Sequence, residues 1–201
     1  MGKLLVVNAS PRKTESKSRA LAADYVAAWR AAHPDGAVRT EDLAADLPPH
    51  VDEEFIAAIF TPADARSAEQ TALLARSDGY IDNLNWADTI VIALPMHNFS
   101  IPSALKAYID HICRVGVTFR YGENGPEGLL GGRQAVILAA RGGRYTGDSP
   151  AAVMNHQDTY LKTVLGFLGI TESRTVTAEG VAAGDEGFEA AKGQISELLA
   201  A

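Results

Sequence analysis

The stretch of sequence that organises this chain is Asp88-Thr-Ile-Val-Ile-Ala-Leu-Pro-Met-His-Asn-Phe-Ser-Ile-Pro102. It opens with a continuous apolar run, Ile90 to Leu94, whose length and composition are typical of a strand buried on both faces of a sheet. Pro95 ends this strand because proline has no N–H for the sheet ladder, and Pro102 suits the first turn of a following helix. The residues between the two prolines therefore lie on a loop at the carboxyl end of a central strand, where open α/β sheets bind their ligands.

Strands and helices alternate along the rest of the chain. Strands are predicted at residues 3–9, 37–43, 90–94, 133–140 and 173–178. Helices are predicted at residues 18–32, within 48–85 with Pro62 as a helix start, and at 103–115, 152–168 and 186–199. Gly and Pro turn signals over residues 116–128 predict a loop or a short hairpin. This alternation indicates an α/β fold with a doubly wound parallel sheet, in a single domain spanning residues 1–201.

Composition argues against several classes of protein. The net charge of -7 is the wrong sign for general nucleic-acid binding. The apolar runs are strand-sized, far below the roughly 18 residues that span a bilayer, and no secretory segment is visible. The single cysteine, Cys113, forms no internal disulfide, and the histidines lack metal-ligand spacing. We therefore expect a cytoplasmic protein with no nucleic-acid, membrane or metal partner.

Three predicted strands are followed by loops that carry unusual residues. These are the first, third and fourth strands, which are neighbours in a sheet of order 2-1-3-4-5, so their loops would meet at one edge. The first loop carries Ser10, Ser16 and Ser18 and leads into a helix whose free N–H groups and dipole favour a phosphate. The same residues also suit an ordinary helix N-cap in a solvated, charged loop.

The first loop matches no dinucleotide or triphosphate fingerprint. Neither Gly-x-x-x-x-Gly-Lys-Ser/Thr nor Gly-x-Gly-x-x-Gly occurs in the sequence. Arg12, Lys13 and Lys17 nevertheless add positive charge beside the serine hydroxyls. A single phosphate held by hydroxyls and backbone amides fits FMN better than a dinucleotide.

The loop between the two prolines suits the planar head of a flavin. Asn98 can both donate and accept hydrogen bonds, which matches the mixed edge of an isoalloxazine ring. Met96 and Phe99 can pack on the ring or on the ribityl chain. Alternatively, Phe99 is a core residue and Asn98 satisfies its own turn.

The loop after the fourth strand contains a pair of glycines. Gly142 and Gly143 let the backbone approach a ligand, and their N–H groups can meet charge that develops on a reduced flavin. Arg141 or Arg144 would add to that electric field. A plain turn is the alternative interpretation.

Several motifs recur in one known family of flavoproteins. They are Ser10-Pro11 with Ser16-Lys17-Ser18, Pro95 to Pro102, Gly116-Val-Thr-Phe119, Glu123 to Gly128, Arg141-Gly-Gly143 and Leu165 to Ile170. With them the chain resembles the FMN-dependent NADH-azoreductase family over nearly its whole length. The resemblance implies a flavodoxin-like, three-layer fold with a five-stranded parallel sheet of order 2-1-3-4-5. It also implies a homodimer with FMN bound at the interface.

The resemblance assigns roles to particular residues. The phosphate residues are Ser10, Ser16, Lys17 and Ser18. The residues of the ring and ribityl chain are Met96, His97, Asn98 and Phe99. The residues of the pyrimidine end are Arg141, Gly142 and Gly143. The candidates for the substrate side are Phe119, Tyr121 and Tyr145. The family usually has Tyr in place of His97 and Ser in place of Ala140, and these departures bear on flavin potential and substrate preference.

The implied reaction is oxidation of NADH or NADPH by a quinone or an azo compound. Hydride would pass through flavin N5 in a ping-pong sequence, so we expect no side-chain nucleophile and no catalytic metal. A proton could come from water, His97 or Tyr145. The alternative function is a flavodoxin-type electron carrier, which would have the same fold without a nicotinamide site.

Overall fold

The computed structural model describes residues 2–200. Within that range the strands are β1 (Lys3–Asn8), β2 (Ala37–Asp42), β3 (Thr89–Pro95), β4 (Phe119–Gly122), β5 (Gly125–Gly128), β6 (Gln134–Ala140) and β7 (Glu172–Ala178). The α-helices are α1 (Lys17–Ala32), α2 (Glu53–Phe60), α3 (Ala68–Trp86), α4 (Ser103–Ile112), α5 (His156–Phe167) and α6 (Glu186–Ala200). None of the described helices is both long and apolar enough to cross a membrane.

The main sheet is parallel throughout, with the spatial order β2-β1-β3-β6-β7. Strands β4 and β5 form a separate antiparallel hairpin. When only the strands of the main sheet are counted, the order is 2-1-3-4-5, so the predicted flavodoxin-like topology is confirmed. The hairpin also confirms the prediction for residues 116–128.

Side chains alternate between the two faces of the sheet, and each face has its own hydrophobic cluster. Leu5 and Val7 of β1 pack in a cluster with residues of α3, α4 and α5. Leu4 and Val6 pack in a second cluster with residues of α1 and α6. Central strands buried on both faces explain the continuous apolar runs in the sequence.

Two helix boundaries differ from the predictions. Pro62 precedes a short 3₁₀ turn and does not begin an α-helix. Helix α3 begins after Ser67 because Ser67 and Gln70 form a reciprocal capping box that satisfies the free N–H groups of the first turn. Similarly, α5 begins at His156 rather than at residue 152, since the Asn155 side chain caps it.

The predicted helix 103–115 ends earlier in the structure, at Ile112. Cys113 is therefore the C-cap of α4, although the prediction placed it inside the helix. Its thiol is largely buried against the core cluster that contains α4. This burial raises the pKa of Cys113 to about 11, so the thiol stays protonated at neutral pH. Cys113 is therefore a packing residue.

Candidate active site

The three unusual loops leave the sheet at the same edge. In the sheet register Asn8 lies beside Ala93, and Pro95 lies beside Ala140. Backbone hydrogen bonds extend past the strand ends, from Ala9 N to Ala93 O at 2.8 Å and from Met96 N to Ala140 O at 3.0 Å. The loops after β1, β3 and β6 consequently form one continuous edge, which we call the rim.

Three serine hydroxyls meet at the amino end of α1. Ser16 Oγ lies 2.9 Å from Ser10 Oγ and 3.3 Å from Ser18 Oγ. Ser16 is the N-cap of α1, and the first turn of the helix contains no acidic residue. Ser10 and Ser18 are buried, so their hydroxyls are fixed in place. Ser16 is half-buried and is the accessible member of the cluster, so its hydroxyl can face an anion at the positive end of the helix dipole while Ser10 and Ser18 hold it in place.

Arg19 anchors this loop, a role that sequence reasoning missed. Its guanidinium binds both carboxylate oxygens of Asp42, at 2.8 and 2.6 Å, and also donates to the Ser10 carbonyl at 2.9 Å. The side-chain hydrogen bond from Arg19 lowers the pKa of Asp42 to about 2. The sequence did carry a signal for this anchor, because Asp42 stands at the end of a predicted strand. That strand, β2, lies beside β1, so the Asp42 carboxylate reaches the loop after β1.

We expect Asp42→Asn to lower the free energy of unfolding by about 1–2 kcal/mol at pH 7. The pKa of Asp42 in the folded state, about 2, is lower than the 3.8 of an unpaired carboxyl. The stabilisation is therefore complete above about pH 4 and is lost as the pH falls towards 2. Urea denaturation at several pH values measures the difference between the variant and the wild type.

Asp46→Asn is the matched control, because the Asp46–Arg76 pair is largely exposed and should contribute little. A difference between Asp42→Asn and the wild type that stays constant between pH 7 and pH 2.5 would contradict this assignment.

Residues 97–100 form a tight two-residue turn with an unusual backbone. Asn98 has φ 47° and Phe99 has φ 70°, values that side chains other than glycine rarely adopt. Two backbone hydrogen bonds of 2.9 Å between His97 and Ser100 close the turn. A phenylalanine in this region costs of order 1 kcal/mol, and such strain is concentrated at ligand-binding sites.

The turn presents its side chains outward. Phe99 is 41% exposed, so the alternative in which it is a core residue is wrong. The turn is closed by backbone bonds and does not depend on the Asn98 amide, which lies on the surface with His97. Met96 is half-buried between the end of β3 and the turn. An exposed amide and an exposed aromatic ring thus stand next to each other on the rim.

The glycine loop after β6 touches this turn. The Tyr145 ring packs edge-on against the Phe99 ring, with centroids 6.1 Å apart. A Cβ atom on Gly143 would lie 3.1 Å from the Tyr145 ring, closer than ordinary packing allows. At Gly142 the nearest atom would be Ala182 Cβ at 3.6 Å, a normal contact. Gly143 is therefore the more tightly packed of the two glycines, and an added side chain would have to shift the Tyr145 ring that joins the two loops.

Two predicted site residues with charged side chains, Arg141 and Lys17, form ion pairs with acidic residues outside the rim. Arg141 is 0% exposed and paired with Asp158 and Glu179, so the expectation that its charge adds to a field on the rim is corrected. Lys17 is paired with an acidic residue before α6, Asp185, at 2.5 Å.

Phe119, predicted for the substrate side, is buried against Phe167 with ring centroids 4.4 Å apart. The adjacent Tyr121 is 73% exposed, but its hairpin packs against Leu168 and Gly169 just before β7 begins, so it lies at the amino edge of the sheet and not at the rim. Arg144 is also exposed, and its guanidinium lies 3.8 Å from Glu186.

An open parallel sheet of this order, with its functional loops gathered at the carboxyl edge, defines the class of flavodoxin-like proteins. A family model described as a flavodoxin-like fold matches residues 2–199. A protein of Acidobacterium capsulatum named FMN-dependent NADH:quinone oxidoreductase is 52% identical over 177 residues, 88% of this chain and 85% of that protein. A protein of Azotobacter vinelandii with the same name is 44% identical, covering 100% of this chain and 98% of its own length.

Solved structures agree with these relatives. An FMN-dependent NADH-azoreductase from Bacillus anthracis, solved in complex with FMN, has a TM-score of 0.90 and 31% identity to this chain. The match covers 100% of this chain and 98% of that one. The chain therefore belongs to the flavodoxin-like family of FMN-dependent NADH:quinone oxidoreductases and azoreductases, which confirms the resemblance noted from its motifs.

Proposed function

We propose that this protein is an FMN-dependent NADH:quinone oxidoreductase that binds FMN along the rim. The observation that carries the proposal is the hydroxyl cluster at the amino end of α1, on the same sheet edge as the exposed Asn98–Phe99 turn. Relatives with this name, 44% and 52% identical to the chain, support it.

The residues present fit the phosphate end of FMN. Ser16 would donate its accessible hydroxyl, the buried Ser10 and Ser18 would have to turn theirs towards the phosphate, and the first-turn N–H groups of α1 would complete the set. Hydrogen bonds to a charged acceptor of this kind are each worth about 1.5–3 kcal/mol. Lys17 would contribute mainly through its charge, because its ammonium group is already paired with Asp185.

The planar end of FMN would lie along the Met96–Phe99 segment and the Gly142–Gly143 backbone. The Asn98 amide would hydrogen-bond the ring edge, while Phe99 and Tyr145 would shape the space above it. Ala140 is buried at the end of β6 and lacks the hydroxyl that is usual in the family. The missing hydroxyl would remove one hydrogen bond to the flavin, worth about 0.5–1.5 kcal/mol, so FMN should still bind while its potential and the substrate preference would change.

Bound FMN would supply the redox chemistry, accepting hydride from NADH or NADPH and passing it to a quinone, or twice to an azo compound, in ping-pong order. The chain's own residues would bind, orient and shield the reactants. Tyr145 would line the substrate side of its own subunit, and Tyr121, at the opposite edge of the sheet, would reach a site only in the partner subunit of a dimer. His97 could hold a proton for the reduced acceptor. No side chain is required as a nucleophile.

We also infer a homodimer of single, three-layer domains, each spanning residues 1–201. Hydrophobic clusters on both faces of one sheet support the three layers. Exposed apolar side chains support a subunit interface, among them Phe99, Tyr121 and Val153. Location in the cytoplasm stays a prediction.

Steady-state kinetics test the proposed function. Protein reconstituted with FMN should oxidise NADH when a benzoquinone is present, and double-reciprocal plots at several quinone concentrations should be parallel. An azo dye used as acceptor should consume two NADH for each dye molecule cleaved. A protein that binds FMN but does not oxidise NADH would be an electron carrier, whereas a protein that does not bind FMN would contradict both functions.

A further inference from the structure

Arg141 lies at the buried centre of a hydrogen-bond network behind the rim, whose carboxylates, Asp158 and Glu179, are partly exposed. Its Nε donates to Gln157 Oε1 at 3.0 Å, its Nη1 donates to Glu179 Oε1 at 3.2 Å, and its Nη2 binds Asp158. Arg141 and Gln157 are both 0% exposed. A buried guanidinium is costly unless it is paired and hydrogen-bonded, and here each of the three guanidinium nitrogens of Arg141 has an acceptor, two of them on carboxylates.

One arm of the network reaches the loop after β3. The side-chain amide of Gln157 donates to the Pro95 carbonyl at 2.9 Å, immediately before the Met96–Phe99 segment. The neighbouring backbone N–H of His156 donates to the Phe99 carbonyl at 3.0 Å. The start of α5 therefore holds both ends of the strained turn.

A second arm reaches the glycine loop after β6. Glu179 accepts hydrogen bonds from the Tyr145 backbone N–H and the Thr146 hydroxyl, both at 2.8 Å. The carboxylate of Asp158 accepts from the Asn155 amide at 2.8 Å, and that amide lies 3.3 Å from the Tyr145 carbonyl. The same buried cation thus fixes the segment that follows Gly143.

We propose that Arg141, Gln157 and Glu179 are positioning residues that set the distance between the Asn98 turn and the Gly143 loop. The inference rests on the proposed function, since these two loops would hold the planar end of the flavin. The network makes no contact with the hydroxyl cluster of Ser10, Ser16 and Ser18. Its loss should therefore weaken ring binding and leave phosphate binding intact.

Two variants of Gln157 test the arm of the network that reaches Pro95. Gln157→Met keeps the volume and removes both hydrogen bonds. Gln157→Glu keeps an acceptor for Arg141 and loses the donor to the Pro95 carbonyl. If positioning of Pro95 matters, both variants should weaken the binding of riboflavin and of FMN by about tenfold. Fluorescence titration of the apoprotein measures both affinities.

The flavin bound to each variant should also change its visible absorption and its midpoint potential, readouts that do not depend on turnover. Arg114→Met is the matched control, because Arg114 is a buried guanidinium paired with Asp78 and Ser77 beyond the other end of α4. It should lower stability and leave the flavin affinity and spectrum at wild-type values.

The outcomes distinguish the two proposals. Wild-type protein that does not bind FMN would overturn the proposed function. Wild-type protein that binds FMN, with Gln157→Met and Gln157→Glu equal to it in flavin affinity, spectrum and potential, would overturn the positioning role alone. If Arg114→Met changes the flavin affinity, spectrum and potential as much as the Gln157 variants do, these changes follow from lost stability and not from the network.

Discussion

Ser16→Asp is expected to weaken FMN binding by at least about 100-fold and to leave riboflavin binding unchanged. Aspartate is as good an N-cap as serine, so α1 should remain capped. The new carboxylate would stand between the hydroxyls of Ser10 and Ser18, where the phosphate is expected. Two like charges about 4 Å apart in a partly buried site repel by several kcal/mol, whereas riboflavin carries no phosphate. Flavin fluorescence quenching measures both affinities.

Ser67→Asp is the control for this change. Ser67 caps α3 in the same way that Ser16 caps α1, but it is not near the rim serines in sequence or on the sheet edge. It should bind both flavins like the wild type. FMN affinity in Ser16→Asp within a factor of three of the wild type would show that the phosphate does not bind at the serine cluster.

Gly128→Ala is expected to lower the free energy of unfolding by about 3 kcal/mol. The added Cβ would lie 2.0 Å from Gly169 N and 2.1 Å from Leu168 C, and neither backbone atom can move aside. The hairpin β4–β5 would have to separate from the turn that links α5 to β7. Urea denaturation, followed by circular dichroism, measures the loss.

Gly79→Ala is the companion substitution, and it is expected to raise the free energy of unfolding. Gly79 lies inside α3, and nothing is within 4 Å of an added Cβ. Alanine should therefore stabilise the protein by about 0.5–1 kcal/mol. A loss below about 1 kcal/mol in Gly128→Ala would mean that the two backbones do not pack as closely as described.

The contact between Gly128 and Gly169 also explains two motifs that the sequence offered without a reason. Residues 123–128 and 165–170 each end near a glycine, and the structure brings those glycines together. Gly169 has φ 91°, which only glycine adopts readily. Such a contact between distant segments is invisible to local sequence patterns.

The sheet could be predicted because its signal is local. Each central strand is a short apolar run bounded by turn residues, and the strand order then places three particular loops at one edge. The loop that carries Asn98 and Phe99 followed from Pro95 and Pro102 on either side of it, while the exposure of Phe99 did not. The start of α3 was placed at Pro62, although the spacing of Ser67 and Gln70 carries the signal of a capping box.

The charged residues of the site could not be predicted in the same way. An arginine beside two glycines at a strand end suggests a ligand contact, yet the partners of Arg141 are Gln157, Asp158 and Glu179. Lys17 pairs with a residue 168 positions away. Where a long charged side chain goes depends on carboxylates supplied by other elements, so it is decided by tertiary packing.

The turn at Asn98 and Phe99 also bears on how quickly a cofactor enters and leaves. Two backbone hydrogen bonds close this turn, and the first residue of α5 donates one more to it, so its shape does not depend on contacts with a ligand. Entry then needs no rearrangement of the loop and is governed by diffusion and by attraction to the phosphate. The rate of exchange between bound and free flavin would then be set by the dissociation of the bound molecule.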